Sequence, residues 1–368
     1  MVAVAAAALV WATASPGVAA APPVLFHLTD PRIDEASGIA VGLASPGVVY
    51  VQNDSGDEAR FFALDARSGR TLATYTVPGA TNVDWEDIAV APDARGVPSV
   101  WLADIGDNSS SRAEIDVYRV NEPQVDMSAV AAAARTHAPE VWRLRYPDGP
   151  ADAEGLAVSP AGAGYLFTKS LSGTAKVYAL PARSDASHLQ TLQARGSVHL
   201  GFTGTAGGPN RFGQRTATGA ALSRDGTMLA VRTYTDAYLW HVRALNMTAA
   251  IKSKPVRLAL PAQPLGEGVA FAGRGLLIDS ERTGSSVYAL GLPTAFTNPK
   301  PSPASSPATP TESTAADAAP GPREGPPIWQ GVGAGLVIIA AFILTWRYVF
   351  ADFPQWRRDR RRDRRYRH

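Results

Sequence analysis

Ser37-Gly38-Ile39-Ala40, Glu86-Asp87-Ile88-Ala89, Glu154-Gly155-Leu156-Ala157, Thr218-Gly219-Ala220-Ala221 and Glu267-Gly268-Val269-Ala270 are five copies of one short phrase, set 49 to 68 residues apart. Self-similarity at such a period is the mark of a repeat architecture. Each phrase opens a β-rich run, and further β-rich runs follow it between Gly, Pro, Asp and Asn turns. In the first unit these are residues 48–51, 61–64 and 71–75. Four-stranded units at this spacing are propeller blades. The fifth unit lacks a fourth run after Leu290, while the chain opens with an orphan run at 24–28. The two gaps fit each other, so the expected fold is an all-β, five-bladed β-propeller closed by its N-terminal strand, which leaves no open edge. A six-bladed ring is the alternative if residues 201–215 hide more structure, and residues 127–135 read as a short helical excursion.

The ends of the chain suggest export and anchoring. Residues 1–20 are small and apolar and end Gly17-Val18-Ala19-Ala20, as a signal-peptidase site requires. The basic region that should precede them is missing, so a start codon upstream of Met1 is expected. Residues 328–350 contain an apolar run bounded by Trp329 and Trp346, about the ~20 residues that cross a bilayer. The arginine-rich tail at 351–368 marks the cytoplasmic side, and its charge is assigned to stop-transfer rather than to nucleic acid. The layout is therefore a signal peptide (1–20), an extracellular propeller (21–297), a Pro/Ser/Ala/Thr-rich stalk (298–327), one C-terminal transmembrane helix (328–350) and the tail. This is a single-pass cell-membrane protein with its N-terminal domain outside. Gly331 and Gly335 hint at weak helix-mediated dimerisation. The formal charge of +2 is dominated by the tail, and the outside domain alone is mildly acidic. The chain has no cysteine, which excludes disulfides and thiolate metal sites.

The first position of each phrase bears oxygen: Ser37, Glu86, Glu154, Thr218 and Glu267. In a propeller these innermost strands converge on the axis. The small residues that follow are explained by crowding there, but three glutamates are not. Carboxylates facing one axis repel unless a cation or basic neighbours offset them. Convergent hard oxygens suit calcium. Around the same mouth lie the loops that join second to third strands. They supply acidic and amide groups from the first two blades (Asn53, Asp54, Asp57, Asp104, Asp107, Asn108, with Asp84 beside Glu86). The later blades supply Lys169, Arg232, Glu281 and Arg282. Such a face suits an anionic extracellular ligand. No Gly-x-Ser-x-Gly elbow is present, and the histidines stand apart from the phrases, which argues against a serine or zinc hydrolase. Trp85, Trp101, Trp142 and Trp240 read as core aromatics between blades.

The axial series Ser, Glu, Glu, Thr, Glu, with Ser37-Gly38-Ile39, Asp84-Trp85-Glu86 and Glu267-Gly268-Val269-Ala270-Phe271 around it, resembles the calcium-activated nucleotidase (apyrase) family. It also resembles other bacterial exported propellers, including the group called esterase-like activity of phytase. The resemblance covers only the blade-start phrases. It implies a five-bladed propeller with one axial calcium, for which Ser37, Glu86, Glu154, Thr218 and Glu267 would be the matching ligands. The expected function is a membrane-anchored surface binding or sensing module. The alternative is a calcium-dependent phosphohydrolase, nucleotidase or phosphoesterase-like, using the same face.

Overall fold

The computed structural model describes residues 22–298. The expected signal peptide lies outside the described residues, as do the transmembrane helix, the basic tail and all of the stalk except Asn298. Among the described residues no helix is long and apolar enough to cross a membrane.

Five sheets, each with four antiparallel strands, make five blades. Their innermost strands are Ala36–Val41, Trp85–Pro92, Ala153–Val158, Ala217–Leu222 and Val269–Ala272. The fifth blade is completed by the first strand of the chain, Val24–His27, which pairs antiparallel with Ser286–Gly291. The ring thus closes as the two gaps in the sequence require. The insertion at 201–215 holds one 3-10 turn, Arg211–Arg215, and no blade, which removes the six-bladed alternative. The excursion at 127–135 is not helical. Its Ala132–Arg135 runs parallel to the outer strand Thr71–Thr76 and adds a fifth strand to blade one. Blade two gains a fifth strand in the same way, where Asp185–Thr191 runs parallel to Glu140–Arg145.

Side chains alternate along a strand, so each blade sends one face to each neighbour. Phe61 and Phe62 show this directly. Phe61 packs with Tyr75, Trp85 and Tyr118 between blades one and two, while Phe62 packs with Phe26, Leu277 and Val287 between blades one and five. Trp101 and Trp142, 5.1 Å apart, fill the interface of blades two and three. Trp240 fills that of blades three and four, and Leu239 and Ile278 that of blades four and five. All four tryptophans expected in the core are buried, and each indole N–H donates to a backbone carbonyl: Thr81, Ala91, Pro181 and Ser253.

At the axis the innermost strands touch backbone to backbone. A Cβ on Gly155 would stand 2.8 Å from the Ala220 Cβ and 3.0 Å from its amide nitrogen. There is no flexible side chain to give way. Gly155→Ala should therefore cost about 1–3 kcal/mol of stability through overpacking, read as a lower urea midpoint at unchanged slope. An unshifted midpoint would mean that the axis is looser than described.

Candidate metal centre

The innermost strands carry their key residues on β-bulges. In blade one Ala36 faces Asn53 and Gly38 faces Gln52, so Ser37 is the extra residue. The same shift leaves Glu86, Glu154 and Thr218 as the extra residues of blades two, three and four. A bulge re-aims one side chain out of the ladder, and here it does so four times. In blade five Glu267 lies two residues ahead of the strand Val269–Ala272.

The hydroxyls latch neighbouring blades. Ser37 Oγ donates to the Glu86 carbonyl at 2.7 Å, and Thr218 Oγ1 donates to the Glu267 carbonyl at 3.0 Å. Glutamates in the same slot have no hydroxyl to donate, and two of them, Glu86 and Glu154, gather at the centre instead. Glu86 forms one group with Asp54 and Asp84, and a second with Asp152 and Glu154. Within each group one oxygen per residue lies within 4.8 Å of the others. Glu86, Glu154 and Asp54 are buried, and Asp84 and Asp152 are half-buried. Burial pushes the Glu86 carboxyl well above its ordinary range, and the charges of Asp54, Glu154 and Asp84 push it further.

One cation of the chain itself enters this centre. Lys169 follows the second strand of blade three, as Asp54 follows that of blade one and Tyr234 that of blade four. Its ammonium donates to Glu154 Oε1. Burial opposes its charge, but Glu154, Tyr234, Asp152 and Glu86 outweigh that and hold the proton on. Burial likewise pushes Glu154 up, with Lys169 pulling the other way.

Of the five expected ligands, the structure brings Glu86 and Glu154 together, with Ser37 Oγ 3.3 Å from Glu86 Oε2. Thr218 is turned to the Glu267 carbonyl, and Glu267 stands outside both groups, its buried Oε2 without a hydrogen-bond partner. Two expected members of the outer face, Asp54 and Asp84, belong to the centre. Asp152 was not anticipated, although Asp84-x-Glu86 and Asp152-x-Glu154 repeat one spacing. The all-oxygen donor set suits a hard divalent cation. Gly106 supplies the matching cradle, because a Cβ there would stand 2.1 Å from Glu86 Oε1 and 2.6 Å from Asp84 Oδ2.

The remaining expected residues divide between scaffold and surface. Arg232 is fully buried rather than on the face. It donates to the carbonyls of Gly268 and Asp279 and to Gln263 Oε1. Asp104 is also fully buried. It pairs with Arg112 at 2.9 Å and accepts the amides of Val83 and Asp84, so it fixes the segment that carries Asp84. Asp107 accepts the Arg112 amide, and its own amide donates to Asp152 Oδ1 at 2.8 Å. Asn53 and Asp57 bond to each other, and Asp57 pairs with Arg60. Asn108 and Arg282 are exposed, and Glu281 is half-exposed.

Below the glutamates sits Asp87, in the slot that is glycine in the other four blades. It is fully buried. Its Oδ1 accepts the Ile88 amide at 2.9 Å, and its Oδ2 accepts the amides of Leu156 at 2.7 Å and Ala220 at 3.2 Å. Three blades therefore meet on one carboxyl group.

No protein-family model matches the chain, and no curated protein matches its sequence. Among solved structures it is similar to the PQQ-bound form of an aldose sugar dehydrogenase from Streptomyces coelicolor, at 14% identity, with 74% of this chain and 99% of that one covered and a TM-score of 0.40. It is similar to the major allergen Mala s 1 of Malassezia sympodialis, at 12% identity, 75% and 96% coverage and a TM-score of 0.43. A third is the Cps50 (Swd1) β-propeller domain of Myceliophteria thermophila, at 9% identity, 70% and 84% coverage and a TM-score of 0.35. The number of blades is counted from the five sheets themselves.

Two predictions follow from this geometry. Asp87→Ala strands three amide donors, two of them in other blades. At roughly 1 kcal/mol or more per unmet donor it should cost about 3 kcal/mol, read by urea unfolding at pH 7; a loss below 1 kcal/mol would contradict the bridging role. Asp116, beside the Asp104–Arg112 pair, is held at about 6 by burial, with Asp104 and Glu114 adding to the shift. The folded protein thus keeps a proton that the unfolded chain loses near pH 4. Stability contributed at this site is present below that pH and lost as pH rises to about 6. Melting temperatures of Asp116→Asn relative to the parent should rise across that window and be flat above it.

Proposed function

We propose that the protein is a surface binding module whose propeller holds a divalent cation, calcium by donor chemistry, at the acidic centre around Glu86. The observation that carries this reading is the pair of carboxylate groups that share Glu86, five acids against the single ammonium of Lys169. Two like charges 4 Å apart cost roughly 4 kcal/mol at an effective dielectric of ~20. The excess must be met by protons or by a cation. Asp54, Asp84, Glu86, Asp152 and Glu154 would hold the ion. A bound ion would supply a positive centre for a phosphate or carboxylate of the ligand and, in a hydrolase, Lewis acidity toward a phosphoryl oxygen. The exposed Arg282 and Asn108 lie between the second and third strands of their blades and would meet the ligand from outside. The sequence features at 1–20, 298–327, 328–350 and 351–368 support an extracellular domain tethered by one span.

A calcium-dependent phosphohydrolase is the second reading, favoured by the half-buried Asp84, a carboxylate of the same centre with access to solvent for taking a proton from water. Calcium titration by calorimetry should give one site in the parent and at least a tenfold weaker one in Glu86→Gln. The binding module should leave ATP, ADP and p-nitrophenyl phosphate intact with or without calcium. Calcium-dependent turnover abolished by Glu86→Gln would replace it with the hydrolase. No calcium binding, and no change in melting temperature with chelator, would overturn both.

A further inference from the structure

We propose that Lys169 is an exchangeable counter-ion: its ammonium neutralises the acidic centre when no metal is bound, and a divalent cation arriving at Glu86, Asp152 and Glu154 displaces it toward the top face. This rests on the cation reading above and adds a switch to it.

Lys169 and the acidic group draw on the same carboxylate. Glu154 offers one oxygen to the group with Glu86 and Asp152, and its Oε1 is the acceptor for Lys169. Two cations on one carboxylate, a few ångströms apart, repel each other in a space shielded from water. Only one of them can hold the position. Beside the acidic groups stands a separate sign of an unmet ligand: Glu267 is 3% exposed, its Oε2 has no hydrogen-bond partner, and it is in electrostatic reach of both Glu154 and Lys169. A single ammonium with three donors leaves that oxygen unserved, whereas an ion taking six to eight oxygens would not.

Lys169 is also built to leave. Its side chain is 22% exposed, against 3% for Glu154, so part of the lysine reaches solvent. A lysine carries its charge on a flexible four-carbon stem and hydrates readily. The loop behind it is held by its own bonds, Ser170 to Ser172 and the Gly173 amide to the Ser170 carbonyl, and it need not move. Once displaced, the ammonium would stand at the mouth beside the bound cation. An anionic ligand could then bridge the two, and cation and ligand would each raise the affinity for the other.

Two measurements on the full-length protein test this. Calorimetric titration with calcium should show Lys169→Met binding at least tenfold tighter than the parent, with Glu86→Gln weak in both backgrounds. Acylation of surface amines, read by mass spectrometry, should find Lys169 protected in chelator and modified at least fivefold faster in calcium. This second experiment needs no variant, so a Lys169→Met protein that fails to fold does not decide the matter. Calcium that binds the parent while leaving Lys169 acylation unchanged, or binds Lys169→Met no more tightly, overturns the exchange and spares the metal site. Absence of calcium binding in both parent and Lys169→Met overturns the exchange and the cation reading together, and leaves Lys169 as a permanent ion-pair partner of Glu154.

Discussion

The carboxyl group of Asp87 is the joint on which the axis depends. It takes amide hydrogens from its own blade and from blades three and four, and it does so in full burial, where an unmet donor costs most. Burial raises it well above the ordinary carboxylate range, against the pull of the three amides. Two regions of different chemistry border the strands it ties. One is the acidic centre, where the strands begin. The other is a cavity of about 210 Å3 lined by the later residues of all five innermost strands, among them Ile39, Val90, Val158, Leu222 and Phe271. Its lining holds no carboxylate, so the acidic chemistry belongs to the end where the strands begin.

The phrase that repeats around the ring serves two purposes, and the residue at its first position decides which. A hydroxyl there closes a blade interface by donating to the next blade's carbonyl, as Ser37 and Thr218 both do across an identical separation of 49 residues. A glutamate cannot donate in that way. Released from the latch by the bulge, Glu86 and Glu154 turn to the centre and meet acids supplied two residues upstream and from the loop of blade one. The interfaces without a hydroxyl latch are held otherwise. Blades two, three and four share Asp87, and blade five meets blade one through the Phe62 cluster.

How much of this was legible follows from what each feature depends on. Blade number, strand order and the closing role of Val24–His27 depend on period and on unmatched strand edges, and both stand in the sequence. The mate of an added outer strand does not. Ala132–Arg135 is an alanine run with helix propensity, and it becomes a strand because the edge of Thr71–Thr76 offers it hydrogen bonds. At the site, Glu86 and Glu154 were marked by the phrase. Asp152 was marked only by its spacing from Glu154, a pattern that two copies make easy to overlook. Arg232 was misplaced for a physical reason: arginine is seldom buried, so a loop-edge arginine reads as surface. Here two backbone carbonyls and Gln263 Oε1, with Asp279 at 3.9 Å, hold its terminal nitrogens inside, while its buried Nε has no hydrogen-bond partner.

That buried arginine also explains why the centre is lopsided. Burial lowers Arg232 to about 10, which leaves it charged at neutral pH, and both Asp279 and Glu267 feel its charge. Arg232 thus offsets part of the charge in the half of the axis formed by blades four and five, where burial and Glu281 still hold Glu267 well above its ordinary range. The half formed by blades one to three carries five acids and borrows one ammonium from Lys169. A ring of five equal ligands would place an ion on the axis. For the proposed cation, this distribution of fixed charge favours a place off the axis toward Glu86, where Gly106 leaves room for the carboxylates of Glu86 and Asp84. The asymmetry arises from one residue in each half, Arg232 held by backbone carbonyls and Lys169 held by acids that include the Glu154 carboxylate proposed for the cation.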